Sequence, residues 1–145
     1  MHPFPHQYVV RAALHSSSST TLSKANLPEL RSAPPEEFGG PGDRWSPEAL
    51  MTAAVADCFA LNFGAIAAAS KFEWKALEAS TTGTLDRHEG KMRFVRFDTY
   101  AQLTLSPSAN VERAKILLEK AEATCPISNS LNSERHLQID IRISE

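Results

Sequence analysis

From Pro47 to Lys71 the chain reads PEALMTAAVADCFALNFGAIAAASK, and its apolar residues are not confined to one stripe. Leu50, Met51, Val55, Phe59, Leu61, Phe63 and Ile66, with alanines between them, go nearly all the way round a helical projection. That pattern predicts one long helix buried on most sides. Ser46 stands as a candidate N-cap, Pro47 at the first helical position and Glu48 in the first turn, the signals that open a helix. A membrane span is the competing reading. Thr52, Asp57 and Asn62 interrupt the run and no positive flank precedes it, so a buried helix in a soluble protein is the reading carried forward.

Before this helix, QYVVRAALH (Gln7 to His15) has the β-branched and aromatic character of a strand, and the polar tract Ser16 to Thr21 predicts a turn or loop. TTLSKA and PELRS predict two further short strands. SAPPEEFGGPGDRW then carries three prolines and three glycines. No regular element fits it, so a long loop leads into the helix, of the kind that often forms a lid or a site wall.

After the helix, Phe72 to Asp86 reads as a strand and RHEGK as a turn around Gly90. In RFVRFDTYAQLTL, Val95, Phe97, Thr99, Ala101, Leu103 and Leu105 alternate with Arg96, Asp98, Gln102 and Thr104, which predicts a half-buried strand paired with the preceding run as a hairpin. Asn110 caps the helix VERAKILLEKAEA, whose apolar stripe is Val111, Ala114, Leu117, Leu118 and Ala121. Thr124, Cys125 and Pro126 break it and start a short helix in PISNSLNSE. Leu137, Ile139, Ile141 and Ile143 alternate with polar residues to give a last strand. The element order predicts an α+β fold of antiparallel pairs rather than an alternating βαβ chain. One sheet and one amphipathic helix cover only part of an all-round apolar helix. The rest predicts a homodimer with the central helices buried between two sheets.

Composition narrows the class. A chain of 145 residues predicts a single domain, 1–145, large enough for a sizeable core. A net charge of −2 with 22% charged residues gives neither a basic field for nucleic acid nor an acidic tail. MHPFPHQYVV lacks a basic segment followed by an apolar one, so the cytoplasm is the expected location. There, two cysteines are thiols or a functional redox pair before they are a structural staple.

Cys58, on the long helix, reads either as a small apolar core side chain or as a reactive thiol. Cys125 precedes Pro126 at a helix start, where the dipole and free N–H groups stabilise a thiolate, or it simply happens to occupy a cap. Their separation fits no zinc or haem motif, and His2, His6, His15, His88 and His136 do not cluster at ligand spacing. Glu48 has an ordinary role in stabilising the helix start, worth about 0.3–1 kcal/mol. A buried thiol ionises only beside a cation, because desolvation raises its pKa. Arg44 in the loop and Arg11 and Arg31 in the strands are the candidates, each otherwise a surface residue.

PEALMTAAVADCF at 47–59, followed by ATCPISNSL at 123–131, resembles the OsmC/Ohr family, the thiol peroxidases associated with osmotic induction and organic hydroperoxide resistance. SAPPEEFGGPG at 32–42 resembles the loop before the helix in that family. The resemblance implies an OsmC-like fold over 1–145: antiparallel sheets around a long buried central helix, in an intertwined homodimer. It implies a two-cysteine peroxidase with no bound metal, flavin or haem. Cys58 would attack an organic hydroperoxide and become a sulfenic acid. Cys125 would resolve it as a disulfide, and an external dithiol, typically a lipoyl group on a carrier protein, would reduce that disulfide.

The family also uses an arginine supported by a glutamate, which Glu48 matches. In the hydroperoxide-resistance branch the arginine lies in the turn after the first strand. HSSSSTT stands there in this chain, with serine at 18. Arg44 is the first substitute, with Arg31 and Arg11 behind it. Ten residues of helix give about 15 Å of rise between Glu48 and Cys58. Either a long arginine bridges them, or Glu48 serves the Cys58 of a second subunit. The rival reading is a non-catalytic relative that binds a small hydrophobic ligand or senses oxidants; a third makes both thiols structural.

Overall fold

A computed structural model describes residues 1–14 and 18–145, and the chain divides into two compact units, Met1–Leu50 and Met51–Glu145. In the first unit, β1 (Arg11–Leu14), β2 (Thr20–Ser23) and β3 (Leu30–Ser32) form an antiparallel sheet in that order. Arg11 faces Ser23 and Thr20 faces Ser32 across the two pairings. β1 is shorter than the run Gln7 to His15. Its four residues use up the four of β2, which leaves Tyr8, Val9 and Val10 unpaired and exposed. His15, Ser16 and Ser17, at the end of that run and the start of the polar tract, lie outside the described residues.

The proline- and glycine-rich loop is less irregular than its composition suggests. Glu36–Phe38 make one 3₁₀ turn ending at Gly39, whose φ is +80°. The loop is closed at its base by Ala33 N–H donating to the Trp45 carbonyl at 2.9 Å. Gly40 packs so tightly on Pro34 that a Cβ would lie 1.6 Å from the Pro34 carbonyl oxygen, so only glycine fits there. At the end of this loop the Ser46 hydroxyl accepts from Ala49 N–H at 3.0 Å and caps α1 (Pro47–Ala69), as expected.

In the second unit, β4 (Ala76–His88) and β5 (Lys91–Leu105) form the expected hairpin around Glu89 and Gly90. Both turn residues have positive φ, 50° and 77°, the geometry that matches the twist of a two-residue hairpin. α2 (Val111–Ala123) begins where Asn110 accepts from Arg113 N–H at 2.9 Å, and α3 (Pro126–Asn129) follows after Thr124 and Cys125. β6 (Glu134–Ile143) completes a sheet of order β4-β5-β6. The core joins Phe59, Phe63 and Ala67 of α1 to Ala101, Leu103 and Leu105 of β5 and to Ala114, Leu117, Leu118 and Ala121 of α2.

One expectation needs correction. β6 runs parallel to β5, with Arg96 beside Glu134 and Leu105 beside Ile143, so the pairs are not all antiparallel. The α2–α3 connection carries the chain back to the end where β5 began, which a parallel pair requires. The fold remains α+β, with two sheets and a long helix. As expected of a helix that its own chain covers only in part, α1 is not buried on most sides within one chain. Only Val55, Phe59, Phe63 and Ala67, one line at four-residue spacing, are buried, while Leu61 is 68% and Met51 39% exposed. By length and composition alone α1 would also suit a membrane span.

Candidate redox site

The second unit brings Cys58 and Cys125 together. Cys58 lies beside the buried line of α1 and is itself half-buried; Cys125, before α3, is fully buried. The hydrogen-bonding neighbours of the Cys58 sulfur are the Cys125 thiol and the backbone N–H of Ile127. Both come from the turn where Pro126, lacking an N–H, starts α3.

That turn is held from two sides. One helical turn beyond Cys58, the Asn62 amide donates to the Ala121 carbonyl at 2.8 Å and to Thr124 Oγ1 at 2.9 Å. Thr124 Oγ1 in turn donates to the Lys120 carbonyl at 2.8 Å. From β6, Arg135 Nε donates to Glu122 Oε1 at 2.8 Å, Nη1 to Asn129 Oδ1 at 2.8 Å, and Nη2 to the Glu122 carbonyl. Asn129 Nδ2 donates to the Ala123 carbonyl at 3.3 Å.

Burial pushes the Cys58 thiol above its ordinary pKa. The hydrogen bond with Cys125 and the nearby Cys125 and Asp57 charges act the same way, opposed by the Ile127 N–H. The start of α3 serves the two cysteines differently from expectation. Cys125 occupies the cap but makes no side-chain cap hydrogen bond, and the free N–H at the second helical position is aimed at Cys58 instead.

Glu48 and the candidate arginines belong to the first unit. Half-buried in the first turn of α1, Glu48 lines a cavity of about 300 Å³ walled by Leu14, Ala33, Pro34, Pro35, Phe38 and Pro47, with hydroxyls from Ser18, Thr20 and Ser32. The serine singled out at position 18 thus faces the same cavity as Glu48. No arginine is among the described residues that line it. Arg44 lies in the preceding loop with Asp43 as its partner at 3.8 Å, and Arg31 and Arg11 are exposed on their strands. Among the described residues no three His, Cys, Asp or Glu side chains gather into a metal-binding group.

Three contributors were not recognised in the sequence: Asn62, Arg135 and the Ile127 N–H. Asn62 carried a signal, since a polar residue inside an apolar helix marks a place with partners. Arg135 carried none, because strand alternation alone does not distinguish it from a solvated arginine.

A family model described as OsmC-like protein matches residues 40–141. The uncharacterized protein YmaD of Bacillus subtilis is 25% identical over 126 residues, which cover 85% of this chain and 83% of that protein. Among solved structures, an OsmC-like protein of unknown function from Vibrio cholerae superposes with a TM-score of 0.86 at 17% identity, over 93% of this chain and 99% of that one. An organic hydroperoxide resistance protein from Legionella pneumophila superposes with a TM-score of 0.70 at 22% identity, over 97% and 99% of the two chains. At these identities the structural likenesses speak for the fold.

Proposed function

The chain belongs to the OsmC family, and on that footing we propose that it is a two-cysteine peroxidase reducing organic hydroperoxides to alcohols. The observation that carries this reading is the Cys58–Cys125 pair: a half-exposed thiol with a fully buried thiol and a backbone N–H as its hydrogen-bonding neighbours. The Cys58 thiolate attacks the distal oxygen of the hydroperoxide. An S–O bond forms, the O–O bond breaks, and the alkoxide leaves and takes a proton to become the alcohol. Cys58, oxidised by two electrons, is then a sulfenic acid. The Cys125 thiolate attacks that sulfur, the S–S bond forms, and hydroxide leaves as water. An external dithiol, such as a lipoyl group on a carrier protein, returns two electrons and two protons by thiol–disulfide exchange.

Cys58 ionises only when a cation offsets its burial. Glu48 holds that cation, which is Arg44 of the same chain or an arginine of a second subunit. A homodimer is part of this reading, because Leu61 and Met51 leave apolar helix surface for a second copy to cover. Leu61→Glu is expected to turn a detergent-free dimer into monomers by analytical ultracentrifugation; an unchanged dimer puts the interface elsewhere. A cytoplasmic location keeps both thiols reduced between turnovers.

One observation favours a second reading, a non-catalytic protein that binds a small hydrophobic ligand or senses oxidants: the Glu48 cavity is mostly apolar and has no arginine among its described walls. Thiol counting separates the two. One equivalent of cumene hydroperoxide should consume two thiols per chain within the mixing time of a manual assay, and dihydrolipoamide should restore both. Thiols that persist in the native protein reject the peroxidase.

A further inference from the structure

We propose that Arg135 is a positioning residue for closure of the Cys58–Cys125 disulfide, acting by fixing the chain on both sides of Cys125 at once. This rests on the two-cysteine reading above. The guanidinium grips Glu122 through its carboxylate and its carbonyl, before the cysteine, and Asn129 Oδ1, after it. The Asn129 amide then reaches back to the Ala123 carbonyl, so the grip closes around Cys125. A guanidinium suits this task because its planar fork offers several donors in fixed directions, which an ammonium does not.

The grip is strong enough to matter. The Arg135 and Glu122 side chains are only 26% and 16% exposed, so their attraction is screened far less than that of a surface pair. Arg135 stands on a paired strand, beside Phe97 of β5, and so transmits the position of the sheet to the turn. α3 has four residues, too few to hold a shape without such contacts. On the α1 side, Asn62 ties the same turn to the helix that carries Cys58.

The chemistry makes the position of Cys125 decisive. Resolution forms an S–S bond and releases hydroxide from the Cys58 sulfenic sulfur, at a rate set by how often the Cys125 sulfur meets it. A displaced Cys125 leaves the sulfenic acid exposed to a second hydroperoxide. That peroxide transfers its distal oxygen, leaves as alcohol and gives the sulfinic acid, which a dithiol does not reduce.

The test is the thiol–disulfide equilibrium of the full chain in buffers of reduced and oxidised dithiothreitol, which needs no peroxidase activity. Arg135→Lys should lower the equilibrium constant for the Cys58–Cys125 disulfide by about tenfold, or about 30 mV. The sulfinic fraction at Cys58 after several equivalents of cumene hydroperoxide, read by mass spectrometry, should rise with it. Asn129→Ala keeps the buried Glu122 pair and should move both readouts in the same direction by about threefold, since it removes one arm of the grip. It also serves if Arg135→Lys does not fold. Arg113→Gln, which removes a bond to the Ser70 carbonyl, controls for lost stability: it should lower the melting temperature and leave the equilibrium unmoved. Wild-type equilibrium constants in folded Arg135→Lys or in Asn129→Ala overturn the proposal, as does a wild-type chain that forms no Cys58–Cys125 disulfide in fully oxidised buffer. Failure of the peroxidase reading is separate, because it appears as unconsumed peroxide while the equilibrium still reports on Arg135.

Discussion

The surroundings of Cys58 and those of Glu48 are built in opposite ways. Cys58 sits among directed contacts: the Cys125 thiol, the Ile127 N–H, and the tethers from Asn62 and Arg135 that hold their turn in place. Glu48 lines a space walled by prolines, short aliphatic side chains and hydroxyls, with no arginine among the described residues there. Around the thiol the parts for making a disulfide are in place, while burial raises the Cys58 pKa and, of the contacts made there, only the Ile127 N–H lowers it. Around the carboxylate there is an apolar-walled space edged by hydroxyls. In this chain, therefore, the second half of the proposed cycle is better prepared than the first.

The most drastic break of that contrast is Cys58→Ser, which should abolish peroxide consumption in a ferrous–xylenol assay. Cys125→Ser should still consume about one equivalent per chain and then stall with Cys58 trapped by dimedone. Loss of that first equivalent in Cys125→Ser would reverse the two roles. Next in size is Ser18→Arg, which places a cation at the wall shared with Glu48. Each pKa unit by which the thiol falls multiplies its thiolate fraction by about ten while the pH is below the pKa. If that cavity serves Cys58, as the proposed role of Glu48 requires, Ser18→Arg should raise the peroxide rate at neutral pH about tenfold and move the pH profile to lower pH; an unchanged profile detaches the cavity from Cys58 ionisation. Arg44→Ala should slow the wild-type rate by about tenfold if Arg44 is the substitute cation, and a wild-type rate removes it from the site.

The smallest effect is one of stability. A thiol whose folded pKa is raised binds its proton more tightly folded than unfolded. Its contribution is full below the ordinary thiol value and is lost as the pH rises toward the raised one. Urea unfolding of the wild type should therefore weaken over that alkaline window relative to Cys58→Ser. Parallel curves would mean that burial does not hold the proton.

What the sequence disclosed follows from what its patterns encode. Ser46, Pro47, Asn110 and the alternation from Val95 to Leu105 are local signals, and the elements they announce are present. Alternation tells which face a strand buries but not which way its neighbour runs, so the parallel β6 was not legible. The apolar girdle of α1 shows how much surface needs covering and says nothing about what covers it, hence a helix with one buried line in its own chain. The paired thiols were legible through Cys58, Cys125 and the motif around each. The network that sets their spacing was not, because Arg135 gains its meaning from two residues on another element.

Arg135 begins the inward line of β6 that continues through Leu137, Ile139 and Ile141. Side chains on a strand change face at every residue, so sliding β6 by one position against β5 would turn Arg135 outward and let go of the Cys125 turn while leaving every residue in place. The alignment of two strands thus acts as a setting on the thiol pair. Substitution of the exposed Asn132 in the short link Ser130–Ser133 should be tolerated, whereas adding or deleting a single residue there should cost the disulfide, as read by thiol counting after oxidation.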